Sequence, residues 1–141
     1  MLFKTLLTVY LFALLHCPPR YQAAPPLLPE LAGQWRWEKN TFRTRGMAGA
    51  QISTPASTGI DMQVHFINSN TLHLYHNGQL VQTKPYGIYQ TVDTYERMFE
   101  TSSSSLRPNL ETGPISISGD TLTIDGGYND TGARQTWVRV Q

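Results

Sequence analysis

The sequence predicts an all-β protein: a single antiparallel up-and-down β-barrel of about eight strands, preceded by an export signal segment. Three observations carry this. Apolar residues alternate with polar ones at a period of two along most of the chain. Turn dipeptides such as Asn77-Gly78 and Gly119-Asp120 punctuate the alternating runs. After the first two dozen residues no long run repeats at the helical period. Length and composition agree with one small domain: 141 residues, 11 Gly, 9 Pro, and 15% charged residues, against about 25% in typical domains. A single cysteine excludes an internal disulfide framework and a multi-cysteine zinc site. The formal net charge of +1, without a basic stripe, argues against nucleic-acid binding. An aromatic content of 11% argues against intrinsic disorder.

Residues 1–24 read as an address rather than as part of the fold. Met1-Leu2-Phe3-Lys4 is followed by an apolar run over 5–15 and then by His16-Cys17-Pro18-Pro19. One cation before a short apolar stretch is the outline of a secretory signal peptide, too short to span a bilayer. Two processing routes are open. Leu14-Leu15-His16-Cys17 resembles the lipobox of bacterial lipoproteins, which makes Cys17 a lipidation candidate; the alternative is ordinary cleavage near Ala23 or Ala24. Loss of residues 1–24 removes Lys4 and Arg20 but no acid, so the net charge becomes −1. Residues 25–30 are proline-rich and read as an extended linker. The folded domain is residues 31–141.

Within that domain the strands follow in order. Residues 33–42 form the opening strand. Over 60–67, Ile60, Met62, Val64 and Phe66 alternate with Asp61, Gln63 and His65, and over 71–76 Leu72 and Leu74 share a face. A three-residue loop at Asn68-Ser69-Asn70 sets Phe66 opposite Leu72 and Val64 opposite Leu74. A two-residue turn at Asn77-Gly78 then sets Leu74 opposite Val81 and Leu72 opposite Thr83. Expected strands at 86–89 and 95–101 precede a loop at 102–105. Gly119-Asp120 pairs Ile117 with Leu122 and Ile115 with Ile124. The last strand covers 133–140, after a loop at 126–132.

The opening strand carries Gly33-Gln34-Trp35-Arg36-Trp37, and the last strand carries Thr136-Trp137-Val138-Arg139. Between them lie Met47-Ala48-Gly49, Thr54-Pro55-Ala56-Ser57-Thr58-Gly59 and Asn77-Gly78. In this arrangement residues 31–141 resemble the lipocalin-like domain family of the calycin superfamily, and specifically small secreted proteins and lipoproteins of Bacteroidetes-type bacteria. The chain departs from that pattern in a longer stretch between Trp37 and Gly49. The resemblance implies that Gly33, Trp35 and Arg139 close one end of the barrel, with the arginine packed across the first-strand tryptophan. It also implies a non-catalytic protein that holds a small molecule. Physically, Gly33 admits the backbone to a crowded end. Trp35 can stack with a guanidinium, and Trp37 shares its face.

Alternation alone nominates Trp37, Met62, Val64, Phe66, Leu72, Leu74, Tyr86 and Tyr89 as the lining of a site for a small apolar or amphipathic ligand. If the barrel instead fills itself with these side chains, the protein is a structural or protein-interaction module of the cell envelope. The segment 54–59 reads either as a lid over the barrel mouth or as a simple connection. Tyr86, Tyr89, Tyr95 and Phe99 form an aromatic cluster.

Other constellations carry less. Asp130-Thr131-Gly132-Ala133 matches an aspartic-protease tetrapeptide, but it sits in a late hairpin loop, and that chemistry needs two such aspartates. The acidic turn 125–130 does not have calcium-loop spacing. His65 and His73 face each other on the outward face of a hairpin, with His76 near them, and lack further ligands for zinc. No Gly-x-Ser-x-Gly elbow or phosphate-cradling glycine loop is present. The sequence therefore points to a protein that is not an enzyme and has neither metal nor cofactor. It points to a monomer that touches a membrane only through lipid at Cys17. Its expected location is the periplasm or the outer membrane and cell surface of a Gram-negative bacterium.

Overall fold

A computed structural model describes residues 28–43, 48–91, 97–102, 108–128 and 133–141. The signal segment, Cys17, Tyr95 and Asp130 lie outside the described residues. Among the described residues nine strands form one antiparallel sheet: β1 (Gly33–Phe42), β2 (Gln51–Ser53), β3 (Met62–Phe66), β4 (Thr71–His76), β5 (Gln79–Gln90), β6 (Arg97–Thr101), β7 (Gly113–Ser118), β8 (Thr121–Asp125) and β9 (Arg134–Arg139). β1 also pairs with β9, which closes the sheet. On its other side β1 pairs with β3 through residues 33–36 and with β2 through residues 40–42. β2 and β3 thus share one stave, and the molecule is a closed eight-stranded barrel.

The break in that stave holds a one-turn helix, α1 (Pro55–Thr58), which follows directly from its sequence. The Thr54 side chain accepts from the Ser57 amide while Ser57 Oγ accepts from the Thr54 amide, Pro55 starts the turn, and Gly59 at φ 71° ends it. None of its residues is buried, so it rests outside the wall.

Two hairpins take the register that their turns dictate. Phe66 lies opposite Leu72 and Val64 opposite Leu74. Ile117 lies opposite Leu122 and Ile115 opposite Ile124. The hairpin between β4 and β5 corrects the expected register. Asn77 and Gly78, at φ 51° and 78°, make the turn, but Val81 is an extra residue. Tyr75 pairs with Leu80, and Leu74 then pairs with Gln82 and Leu72 with Lys84. A β-bulge of one residue reverses which side chains point inward. Val81 consequently faces solvent beside the exposed Leu80, while Lys84 and Tyr86 are buried.

A second register shift falls between Trp37 and Lys39 on β1, facing β9. It leaves Trp35, Trp37 and Asn40 all buried. The core runs down the barrel axis and includes Trp35, Trp37, Trp137, Phe66, Phe99, Met62, Leu72, Leu74, Leu122 and Ile124. Phe66 makes edge contacts with Tyr86 at 5.1 Å and Phe99 at 6.2 Å between ring centroids, a geometry that the ring quadrupoles favour.

Candidate functional site

One end of the barrel is closed by the amino-terminal turn. Pro29–Leu31 form a single 3-10 turn whose Leu31 is fully buried. The Trp35 indole N–H donates to the Leu31 carbonyl at 2.9 Å. Arg139 lies over the Trp35 ring, with Cζ 4.2 Å from the centroid, and its two terminal nitrogens donate to the carbonyls of Ala32 and Glu30. Gly33 takes φ 108°, a region that glycine enters without strain, so that the chain can turn from this cap into β1.

The residues nominated as a lining are brought together inside the barrel, except one. Trp37, Met62, Val64, Phe66, Leu72 and Leu74 are 0–2% exposed and Tyr86 is 7% exposed. Met62, Val64, Leu72 and Leu74 have no area open to a water molecule and so border no void that would hold one, and this part of the lumen is packed with its own residues. Tyr86 donates its hydroxyl to the Asn68 carbonyl, and burial pushes its phenol up to about 12. Tyr89 is the correction. Three residues from Tyr86 on the same strand, it faces outward, 46% exposed, and donates to the Glu100 carboxylate at 2.9 Å. That bond and the carboxylate's charge raise its pKa. Ile88, two residues from Tyr86, packs against the core instead.

The opposite end is polar within. Lys84 on β5 is 3% exposed, and Asn40 on β1 and Gln135 on β9 are 4% and 0% exposed. Residues 108–112, which lead into β7, cross this end, and we call them the strap. Lys84 Nζ donates to Asn109 Oδ1 at 3.3 Å, and Gln135 Nε2 donates to the Asn109 carbonyl at 2.7 Å. The Glu111 amide donates back to Gln135 Oε1 at 2.9 Å. Since β5 and β9 are four staves apart in a ring of eight, Asn109 joins opposite walls. Leu110 turns inward from the strap and is buried in the core.

The electrostatics of this end follow from burial. Among the described residues no carboxylate lies within ion-pair distance of Lys84, and desolvation lowers its pKa. His76, at the end of β4, is also lowered by desolvation, against the opposing effect of a hydrogen bond to the Pro108 backbone. Its Nε2 is buried without a partner, as is the Nε1 of Trp137, which is fully buried one inward step below Gln135. Alternation from the Asn77-Gly78 turn gave no sign of Lys84, because the bulge at Val81 is silent in the pattern. The strap has no periodicity to read. Asn40 points inward only because of the register shift on β1, whereas Gln135 shares the face of Trp137 by the period of two.

A groove of about 480 Å³ opens at the tryptophan-capped end, lined by Leu28, Leu31, Ile88, Ile115 and Ile117, with Ser116, Glu30 and Arg97. Arg97 Nη1 pairs with Glu30 Oε1 at 2.6 Å there. His65 and His73 are cross-strand partners on β3 and β4. Among the described residues no three His, Cys, Asp or Glu side chains gather as a metal site.

The fold and its two ends define a class: a closed eight-stranded antiparallel barrel, capped by a tryptophan–arginine pair at one end and strapped at the other. Comparison with protein-family models, with curated proteins and with solved structures finds no match.

Proposed function

We propose that the protein is an exported, lipocalin-like, non-catalytic barrel that binds one small amphipathic molecule at its strapped end. The observation that carries this reading is the unmatched polarity there. A buried ammonium meets only a neutral amide among the described residues, and a buried indole N–H meets nothing. Buried polar groups left in that state cost free energy that a ligand can recover. The Gly33-Gln34-Trp35 opening and the Arg139 stack over Trp35 support the lipocalin-like assignment. The signal-like residues 1–24 support export, with Cys17 as the anchor if it is lipidated.

One specific observation favours a second reading. The lumen beside Trp37, Val64 and Leu74 is full, as expected of a structural or protein-interaction module of the envelope. Native mass spectrometry of protein purified from its own host separates the two. A co-purifying small amphipathic mass supports binding, and its repeated absence across preparations supports the filled module.

A further inference from the structure

The outer wall carries a pair of histidines that the barrel interior does not use. His65 on β3 and His73 on β4 are direct cross-strand partners, and both are half-buried. Their ladder is pinned at both ends. The Ile67 amide donates to the Thr71 carbonyl at 3.0 Å, and the Asn77 amide donates to the Asp61 carbonyl at 2.8 Å. Both bonds lie an even number of residues from the histidines, so His65 and His73 fall in a hydrogen-bonded pair, with Cα atoms about 5.5 Å apart. Their inward neighbours Val64, Phe66, Leu72 and Leu74 are 0–2% exposed and hold the two backbones in place. We propose that His65 and His73 bind a divalent copper ion on the outside of the barrel, with the remaining coordination positions left to water or a small exogenous ligand.

Imidazoles rooted on one face at this spacing can reach one ion at metal–nitrogen distances of about 2 Å. The Tyr75 hydroxyl lies 3.5 Å from His73 Nδ1, and the two rings meet edge to face. A hydroxyl on Nδ1 leaves Nε2 as the coordinating nitrogen, the arrangement that outer partners impose on metal-bound histidines. The surroundings admit a cation. Gln34 and Thr83 continue the row on β1 and β5. Gln63, Ile67, Thr71 and Tyr75 stand two residues to either side along β3 and β4, and none of the six carries a charge. Among the described residues no third histidine, cysteine or carboxylate joins the pair, and this selects the metal. Structural zinc takes four protein ligands in a tetrahedron. Copper(II) accepts imidazoles in a plane completed by oxygen, and it binds nitrogen more tightly than the other divalent first-row ions. The pair lies on the opposite face of the sheet from the packed core, so the site is independent of whatever the strapped end holds.

The test uses Cu2+ chelated by iminodiacetate, which shields the rest of the ion and leaves adjacent positions for two imidazoles. The full chain carries Cys17→Ser so that no thiol competes. It serves as the parent of two variants, His65→Gln and His73→Gln, and the folding of all three is checked by circular dichroism. The parent takes up one complex, its electron paramagnetic resonance spectrum shows two imidazole nitrogens, and its melting temperature rises with the complex present. Either variant binds at least about tenfold more weakly. Each also shows a single imidazole nitrogen and gains no melting temperature at the concentration that shifts the parent. Equal affinity in the parent and both variants, or one imidazole nitrogen in the parent, assigns the copper to an adventitious surface histidine and overturns the site.

Discussion

Arg139 stacks on Trp35 with its Cζ 4.2 Å from the ring centroid, and the same guanidinium donates to the carbonyls of Ala32 at 2.6 Å and Glu30 at 2.7 Å. One side chain thus ties β9, β1 and the amino-terminal turn. Arg139→Ala should lower unfolding stability by about 2–4 kcal/mol, from the lost stack and two charge-assisted bonds. Arg139→Lys should recover only a small part of that, since an ammonium cannot stack flat and fork to two carbonyls. Urea unfolding midpoints read the effect, and a wild-type midpoint for Arg139→Ala would refute this role.

Lys84 should be a stability cost in the unliganded protein. Its charge is buried without a carboxylate among the described residues. Lys84→Met keeps the length of the side chain and removes the charge, and should raise stability by about 1–3 kcal/mol. A variant less stable than wild type in the same urea titration would show that the ammonium holds the fold.

His76 predicts a dependence on acidity. Burial lowers its folded pKa below the ordinary 6.5. Between the lowered value and 6.5 the unfolded chain binds more protons than the native one, so stability rises with pH across that window and falls on acidification. His76→Gln should therefore lose less melting temperature than wild type between about pH 7.5 and about pH 5. Parallel melting curves for the two proteins would rule out His76 as a source of acid sensitivity.

Gly113 and Gly33 should respond differently to alanine. At Gly113, φ 155°, an added Cβ would fall on the Asp125 carbonyl. At Gly33, φ 108°, it would sit 3.5 Å from Arg139 Nη1, in ordinary contact. Gly33→Ala should cost about 1–3 kcal/mol of backbone strain alone. Gly113→Ala should cost more, because the pairing of β7 and β8 must also yield. Equal thermal shifts in the two variants would refute the difference.

What could be read from the sequence follows the continuity of alternation. Where a tight turn joined two unbroken runs, as at Asn68–Asn70 and Gly119-Asp120, the register of Phe66 with Leu72 and of Ile117 with Leu122 followed from counting. The bulge at Val81 adds a residue without interrupting the pattern, and so hid the inward turn of Lys84. Tyr86 and Tyr89 looked alike as aromatics, but an odd spacing on one strand cannot place both inside. The pairing of Trp35 with Arg139 was expected only through the resemblance of the first and last strands to the lipocalin-like pattern, and alternation alone does not reveal it. The strap was not legible, since Asn109 and Leu110 act through tertiary contacts that no neighbouring residue encodes.

The link through Asn109 has a kinetic consequence. It joins walls that share no ladder, so it can release while every strand pairing stays intact. The Glu111 amide, held by Gln135, should exchange its hydrogen through a local opening much faster than the amides of β3 and β4, which must await global unfolding.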